Sequence, residues 1–298
     1  MKKELISEWF RNLQLDICNS LEIIDGEGNF REDEWTRSGG GGGYSRVMNN
    51  GNLLEKGGVN YSQVHGATPQ KILEALQLKK SQFYATGVSI VLHSKNPHVP
   101  IIHMNVRYFE MSDGTWWFGG GIDLTPIYAS EKQAFFFHNE LKKACDKYDT
   151  SYYQKFKKWA DDYFFIKHRN ETRGIGGIFF DRLTEPGEDS KEQIFEFIKE
   201  IGNTFIPVYS TMVEENRSIQ FDESQKEWQF LRRGRYAEFN LVYDQGTKFG
   251  LDTNGRTESI LMSLPPQAKW KYDFHPEEGT PEWQTQSLLI KGIDWINR

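Results

Sequence analysis

Five side chains able to do chemistry fall into two short segments, Thr86–Ser94 (TGVSIVLHS) and Ile101–Glu110 (IIHMNVRYFE). In an extended strand, successive side chains point to opposite faces. In the first segment Val88, Ile90 and Leu92 share one face, which leaves Ser89 and His93 on the other. In the second, Ile102, Met104 and Val106 share a face, and His103, Asn105 and Arg107 share its opposite. The polar groups of the second strand stand about 7 Å apart, two strand residues each. A face of Ser, His, His, Asn and Arg makes poor core and good pocket. It is a flat polar platform long enough for a large planar ligand.

Other residues with chemical potential lie further along. Asp123 follows three glycines and an isoleucine in WWFGGGIDLTP. A ligand can approach such a carboxylate closely over bare backbone; the alternative is a turn aspartate at a strand end. Arg169 and Arg173 in HRNETRG stand four apart and share a face if the segment is helical. They form either a forked carboxylate clamp or a solvated pair bridged to Glu171. Further arginines cluster at Arg232, Arg233, Arg235 and Arg256. In a chain of net charge −6 they suggest a local anion site within a negative field, and they argue against bulk nucleic-acid binding. None of the seven histidines forms HExxH or another short metal-binding spacing. His93 and His103 could meet across a hairpin, with His138 and His168 converging from elsewhere. The glycine run Gly39–Gly43 fits no nucleotide-loop pattern. It reads as a flexible loop, or as one that folds over a ligand.

The elements that must position these groups follow from periodicity. Ile6, Trp9, Phe10, Leu13, Ile17, Leu21 and Ile24 predict an amphipathic helix over 4–24. Asn50-Gly51 predicts a hairpin turn, with strands at 45–48 and 57–64. A short helix is expected at 67–78. After the two polar-faced strands, a third is expected over 115–124. Ser130 and Gln133 predict a capped helix to Lys147, and a second helix is expected over 150–166. A buried strand at 174–180 precedes a long helix over 190–215, kinked or interrupted near Pro207. A helix over 225–231, strands at 236–243 and 257–264, and a helix over 283–295 complete the pattern. Early hairpins and later helices predict an α+β fold: a large, mainly antiparallel β-sheet flanked by helices on both faces, with residues 1–298 forming a single domain.

At 38% hydrophobic and 14% aromatic, the composition supports a substantial core and excludes a disordered chain. No apolar run approaches the roughly 20 residues of a membrane span. The N-terminus resembles neither a signal nor a transit peptide, so a cytoplasmic location is expected. Cys18 and Cys145 are too few for a disulfide framework.

Taken together, GGGGGYSRVM, EKGGVNYSQVHG, TGVSIVLHSKNPHVPIIHMNVRYFE, WWFGGGIDLTP, DDYFFIKHRNETRGIGGIFFD, RGRYAEFNLVYDQGT and TESILMSLPP resemble the oxygen-dependent coproporphyrinogen III oxidases, in order, from about Trp35 to Trp270. Small departures are Pro126-Ile127-Tyr128, where the family often has Pro-Tyr-Tyr, and Thr253-Asn254-Gly255-Arg256, where bacterial members often have a glycine pair. The resemblance implies a homodimer that converts the ring A and B propionates of coproporphyrinogen III to vinyl groups. Molecular oxygen is the co-substrate, no organic cofactor is used, and carbon dioxide and hydrogen peroxide are released. It implies substrate contacts at Ser89, Asn105, Val106, Arg107, Asn254, Gly255 and Arg256. Arg169 and Arg173 are further candidate clamps for the propionates. His103 becomes the proton donor, and Asp123 a carboxylate that contacts the pyrrole nitrogens. Bacterial members are often described with a divalent metal, usually manganese, on histidines matching His93, His103, His138 and His168; other members work without one. Two rival readings are a tetrapyrrole carrier that kept the pocket without the reaction, and a metal-dependent hydrolase built on the four histidines.

Overall fold

The first helix follows its apolar periodicity. α1, Lys3–Asp25, buries Ile6, Phe10, Leu13, Ile17 and Leu21. It ends at Gly26, where a φ of 89° gives the left-handed cap that only glycine adopts without strain. The computed structural model describes residues 1–298 apart from 69–72, 74–80, 186, 188–189 and 253–254, so the expected helix over 67–78 lies almost wholly outside the described residues.

Among the described residues, seven strands form one antiparallel sheet. In chain order the first six are β1 (Arg31–Thr36), β2 (Gly41–Asn49), β3 (Leu54–Ala67), β4 (Gln82–Ser94), β5 (Ile101–Met111) and β6 (Trp116–Thr125). A two-strand ribbon of β7 (Phe165–Ile166) and β8 (Glu171–Thr172) intervenes before β9 (Gly176–Leu183), which closes the main sheet beside β6. Each main strand lies beside its sequence neighbour.

The helices are α2 (Glu131–Asp146), α3 (Tyr152–Tyr163), α4 (Ser190–Asn216), α5 (Glu223–Val242), α6 (Gln245–Asp252), α7 (Thr257–Leu261) and α8 (Pro281–Leu288). One sheet face carries Val88, Ile90, Leu92, Ile102, Met104 and Val106, all buried in the main core. α1 and α4 cover that face. On the opposite face, Trp228 and Tyr236 of α5 pack against Val91 and Ile101, and α7 leads into Met262, which lies over Gly58. The α+β architecture with helices on both faces is therefore observed.

Several elements differ from the sequence expectation. Residues 223–242 form one continuous helix where a helix and a strand were expected, and 257–261 are helical, not strand. α4 runs its full length through Pro207 without interruption. The last helix stops at Leu288, and Trp295 instead buries its indole, donating to the Ile175 carbonyl at 3.1 Å. The glycine run is not a loop over a ligand. Gly40 and Gly41, with φ of 114° and 80°, shape the β1–β2 turn, and the run continues as strand. A Cβ on Gly43 would lie 2.6 Å from the Trp35 ring, so the bare backbone there serves close packing.

Candidate active site

Strand register turns the alternating sequence into a floor. Ser45, Asn60, Ser89, Asn105 and Gly121 stand opposite one another in turn across β2 to β6. Cross-strand partners share a face, so these five form one row, about 19 Å long at the usual strand spacing. On one side runs a parallel row containing Gly87, Arg107 and Gly119; on the other, one containing Val91, His103 and Asp123. Ser89, His103, Asn105 and Arg107 are half-buried. The intervening glycines contribute no side chains, and this polar strip of the sheet is the candidate groove. The platform expected from period-two alternation is present for Ser89, His103, Asn105 and Arg107, whereas His93, on the same face, is fully buried.

At one side of the groove, His103 and Asp123 are register partners on β5 and β6. His103 Nδ1 lies 2.8 Å from Asp123 Oδ1. Asp123 is almost wholly buried, and Arg173 Nη2 donates to both its oxygens at 2.8 Å. Burial opposes ionisation of Asp123, but the Arg173 charge and the His103 hydrogen bond outweigh it, and the carboxyl is held below its usual range. Arg173 also donates through Nη1 to Asn240 Oδ1 of α5 at 2.8 Å. Its guanidinium is packed among Phe164, Tyr236 and Phe239, whose ring centroids lie 4.4–4.7 Å away. Because the carboxylate accepts the Nδ1 proton, it fixes the His103 tautomer. Nε2 is then the nitrogen able to exchange a proton in the groove.

The remaining candidates for anion binding lie along the floor. Arg107 donates to Asn105 Oδ1 at 2.7 Å and to Asp181 Oδ1 at 2.8 Å. Arg256 immediately precedes α7. It donates to Ser259 Oγ at 3.1 Å and Ser45 Oγ at 3.3 Å, and it pairs with Asp33. Ser45 in turn donates to Asn60 Oδ1 at 2.8 Å, so Arg256 stands at the end of the central polar row.

Other sequence candidates are placed differently. Arg173 is spent on Asp123 and is not available to a ligand. Arg169 is not its helical neighbour: Asn170, with φ of 52°, turns the chain between them. Arg169 instead forks onto Glu238, with donor distances of 2.9 and 2.7 Å. Burial pushes the Glu238 carboxyl upward, but hydrogen bonds from Arg169, His168 and Trp270 bring it down to about 2. Val106 directs its side chain into the core, leaving only its backbone on the floor. The Gly255 N–H donates to the Gly250 carbonyl at 2.7 Å. Asn254 lies outside the described residues.

The four candidate metal ligands are not brought together. Among the described residues, no group of three or more His, Cys, Asp and Glu is arranged to hold a metal ion. His138 is buried; it donates from Nε2 to the Ile175 carbonyl at 3.0 Å, and its Nδ1 lies 3.0 Å from the Tyr153 hydroxyl. His168 donates from Nε2 to Glu238 at 2.7 Å and accepts from the Tyr243 hydroxyl at 2.8 Å. His93 is buried and donates from Nε2 to the Ser263 carbonyl at 2.9 Å. Both nitrogens of two of these rings are therefore occupied, and the donor set does not fit a shared cation.

Sequence reasoning missed Asn240, Tyr236 and Glu238, having placed them in a strand. A signal was present: Arg232, Arg233, Tyr236 and Asn240 recur at three- and four-residue steps, a spacing suited to a helix that buries a polar face.

A sheet whose polar face holds a His–Asp pair, with two arginines set along it, has the chemistry to grip an anionic ligand and move a proton on it. The comparisons make this specific. The model of the coproporphyrinogen III oxidase family matches residues 5–295. Coproporphyrinogen-III oxidase 1, chloroplastic, of Arabidopsis thaliana is 49% identical over 301 aligned positions, covering 96% of this chain and 77% of the relative. Oxygen-dependent coproporphyrinogen-III oxidase, chloroplastic, of Glycine max is 48% identical with the same coverage. The chain belongs to the coproporphyrinogen III oxidase family.

Proposed function

We propose that this chain is an oxygen-dependent coproporphyrinogen III oxidase of heme biosynthesis, forming protoporphyrinogen IX. In each of two cycles a –CH2–CH2–COOH side chain and O2 become –CH=CH2, CO2 and H2O2. One carbon–carbon and one carbon–hydrogen bond break, and oxygen takes the two electrons. The single observation that carries the reading is the pairing of half-buried His103 with buried Asp123 beside a polar groove that has Arg107 and Arg256 along it. The arginines suit the propionates of a tetrapyrrole, which a carrier would also need. The oriented His–Asp pair is what a carrier would not.

The residues divide the work as follows. Arg107 and Arg256 hold carboxylates by charge-assisted hydrogen bonds. Ser89 and Asn105 line the floor beneath the macrocycle. His103 Nε2 exchanges a proton with the substrate, with Asp123 fixing the ring through Nδ1. The substrate's electron-rich pyrroles then react with oxygen directly, without an organic cofactor. Asp123 acts through His103 in this scheme, because its own oxygens are engaged by Arg173.

Two finer parts of the reading concern assembly and location. A homodimer is supported by exposed Leu241 and Val242 on the C-terminal third. A cytoplasmic location is proposed alongside it, although both relatives are named chloroplastic. Among the described residues no helix is long and apolar enough to cross a membrane. The test of function is incubation with coproporphyrinogen III in air and under nitrogen, with products separated after oxidation to porphyrins. Protoporphyrin in air alone, with peroxide equal to the carbon dioxide released, is the expected result. Bound substrate that returns unchanged in air would identify a carrier.

A further inference from the structure

His93 lies on the same sheet face as His103 yet is fully buried, with its ring edge-on to Tyr236 of α5 at 5.3 Å. Its Nε2 proton goes to the backbone carbonyl of Ser263, 2.9 Å away. Ser263 closes the segment that opens with Arg256. This segment is fastened to the sheet at several points. Ser259 Oγ lies 2.8 Å from Ser45 Oγ, and Lys56 Nζ donates to the Leu264 carbonyl at 2.8 Å. Met262 rests so closely on Gly58 that a Cβ there would lie 2.4 Å from the methionine methyl carbon. The Ser263 side chain has a second link. Asn240 Nδ2 donates to its hydroxyl at 3.4 Å, while Asn240 Oδ1 accepts from Arg173. One polar path thus runs from His103 through Asp123, Arg173, Asn240 and Ser263 to His93, and the anion-binding Arg256 sits on the segment that this path holds.

We infer that His93 is a positioning residue: its Nε2–H···O bond to Ser263 latches the 256–264 segment onto the sheet and so places Arg256 for a substrate carboxylate. The inference rests on the proposed function only for its kinetic consequence. The latch itself is a property of the folded chain. It assigns His93 a role that uses one nitrogen as a donor and needs no metal. The same path gives the anion anchor and the proton-transfer pair a common mechanical support, since both depend on Asn240 and Ser263.

The test compares His93→Gln, whose amide nitrogen can replace the Nε2 donor, with His93→Phe, which keeps a flat ring and removes the donor. Losing one hydrogen bond to a buried carbonyl should raise the KM for coproporphyrinogen III about tenfold in His93→Phe, with a smaller fall in kcat. His93→Gln should stay within about threefold of the parent. Amide hydrogen exchange on the full chain, without substrate, should show faster exchange over 256–264 in His93→Phe and parent-like exchange in His93→Gln. Exchange unchanged in His93→Phe would overturn the latch. So would a His93→Gln variant as impaired as His93→Phe, which is what loss of a metal ligand predicts. If neither parent nor variants turn over substrate, the exchange measurement still decides the latch, and the failure belongs to the functional reading alone.

Discussion

His103 and Asp123 stand directly opposite each other on neighbouring strands, and the ring nitrogen of one lies 2.8 Å from the carboxylate of the other. The pairing fixes which histidine nitrogen can act in the groove. Asp123→Asn keeps the shape but presents an amide that can turn its NH2 toward Nδ1 and favour the wrong tautomer. We expect kcat to fall by about 10²–10⁴ while KM for coproporphyrinogen III changes little. Steady-state kinetics in air check this, and a variant with parental kcat would remove Asp123 from the mechanism.

The arginines separate by the partners that engage them and, for Arg173, by burial. Arg107 and Arg256 line the groove, so Arg107→Ala or Arg256→Ala should raise KM by about 10- to 100-fold, the loss of a charge-assisted hydrogen bond to a propionate. Arg169 is engaged outside the groove with Glu238, and Arg169→Ala should leave KM within about threefold of the parent. Arg173→Met should instead cost about 3–5 kcal/mol of stability by stranding a buried carboxylate. Kinetics beside denaturant melts would distinguish the three behaviours. A KM effect in Arg169→Ala as large as in Arg107→Ala would show that the groove is wrongly drawn.

The floor was legible because period-two alternation is local: Val88, Ile90 and Leu92 against Ser89 and His93 need no tertiary information. The partners of that floor were not. Asp123 and Arg173 are fifty residues apart, and the helical reading of HRNETRG fails at Asn170, whose left-handed backbone only its asparagine side chain hints at. α5 was misread because its buried side includes Gln229, Arg232, Arg233 and Asn240. A helix that buries polar groups against a site lacks the apolar stripe on which periodicity depends. β1 was missed for the opposite reason. Its residues, REDEWT, are mostly charged, which suits an edge strand that must not recruit another chain.

Chelation offers a direct check on the histidines. Six of their eight ring nitrogens are bonded, to Ser263, Asp123, Ile175, Tyr153, Glu238 and Tyr243, and the described residues form no cluster around a common point. Enzyme dialysed against a strong chelator should retain its rate in air, within about twofold, given metal-free buffers and substrate. A rate that falls to background and returns with manganese would mean that the histidines rearrange around a cation.

His138 links folding to pH. Burial lowers its pKa to about 3, more than its bond to the Ile175 carbonyl raises it, and so it is neutral in the folded chain. In the unfolded chain a histidine titrates near 6.5. The folded value is the lower of the two, so the stabilising contribution is complete above about pH 6.5. It is lost as pH falls toward 3, because unfolding then takes up a proton. Each such histidine adds a slope of up to about 1.4 kcal/mol per pH unit in that window. His93, lowered to about 3 chiefly by burial and by the Arg233 charge, acts in the same direction. His138→Gln cannot titrate. It should be less stable than the parent at pH 7, and the gap should narrow as the pH is lowered to 5. Urea unfolding at both pH values measures the two gaps. A gap that stays constant would mean that His138 does not take up a proton on unfolding in this range.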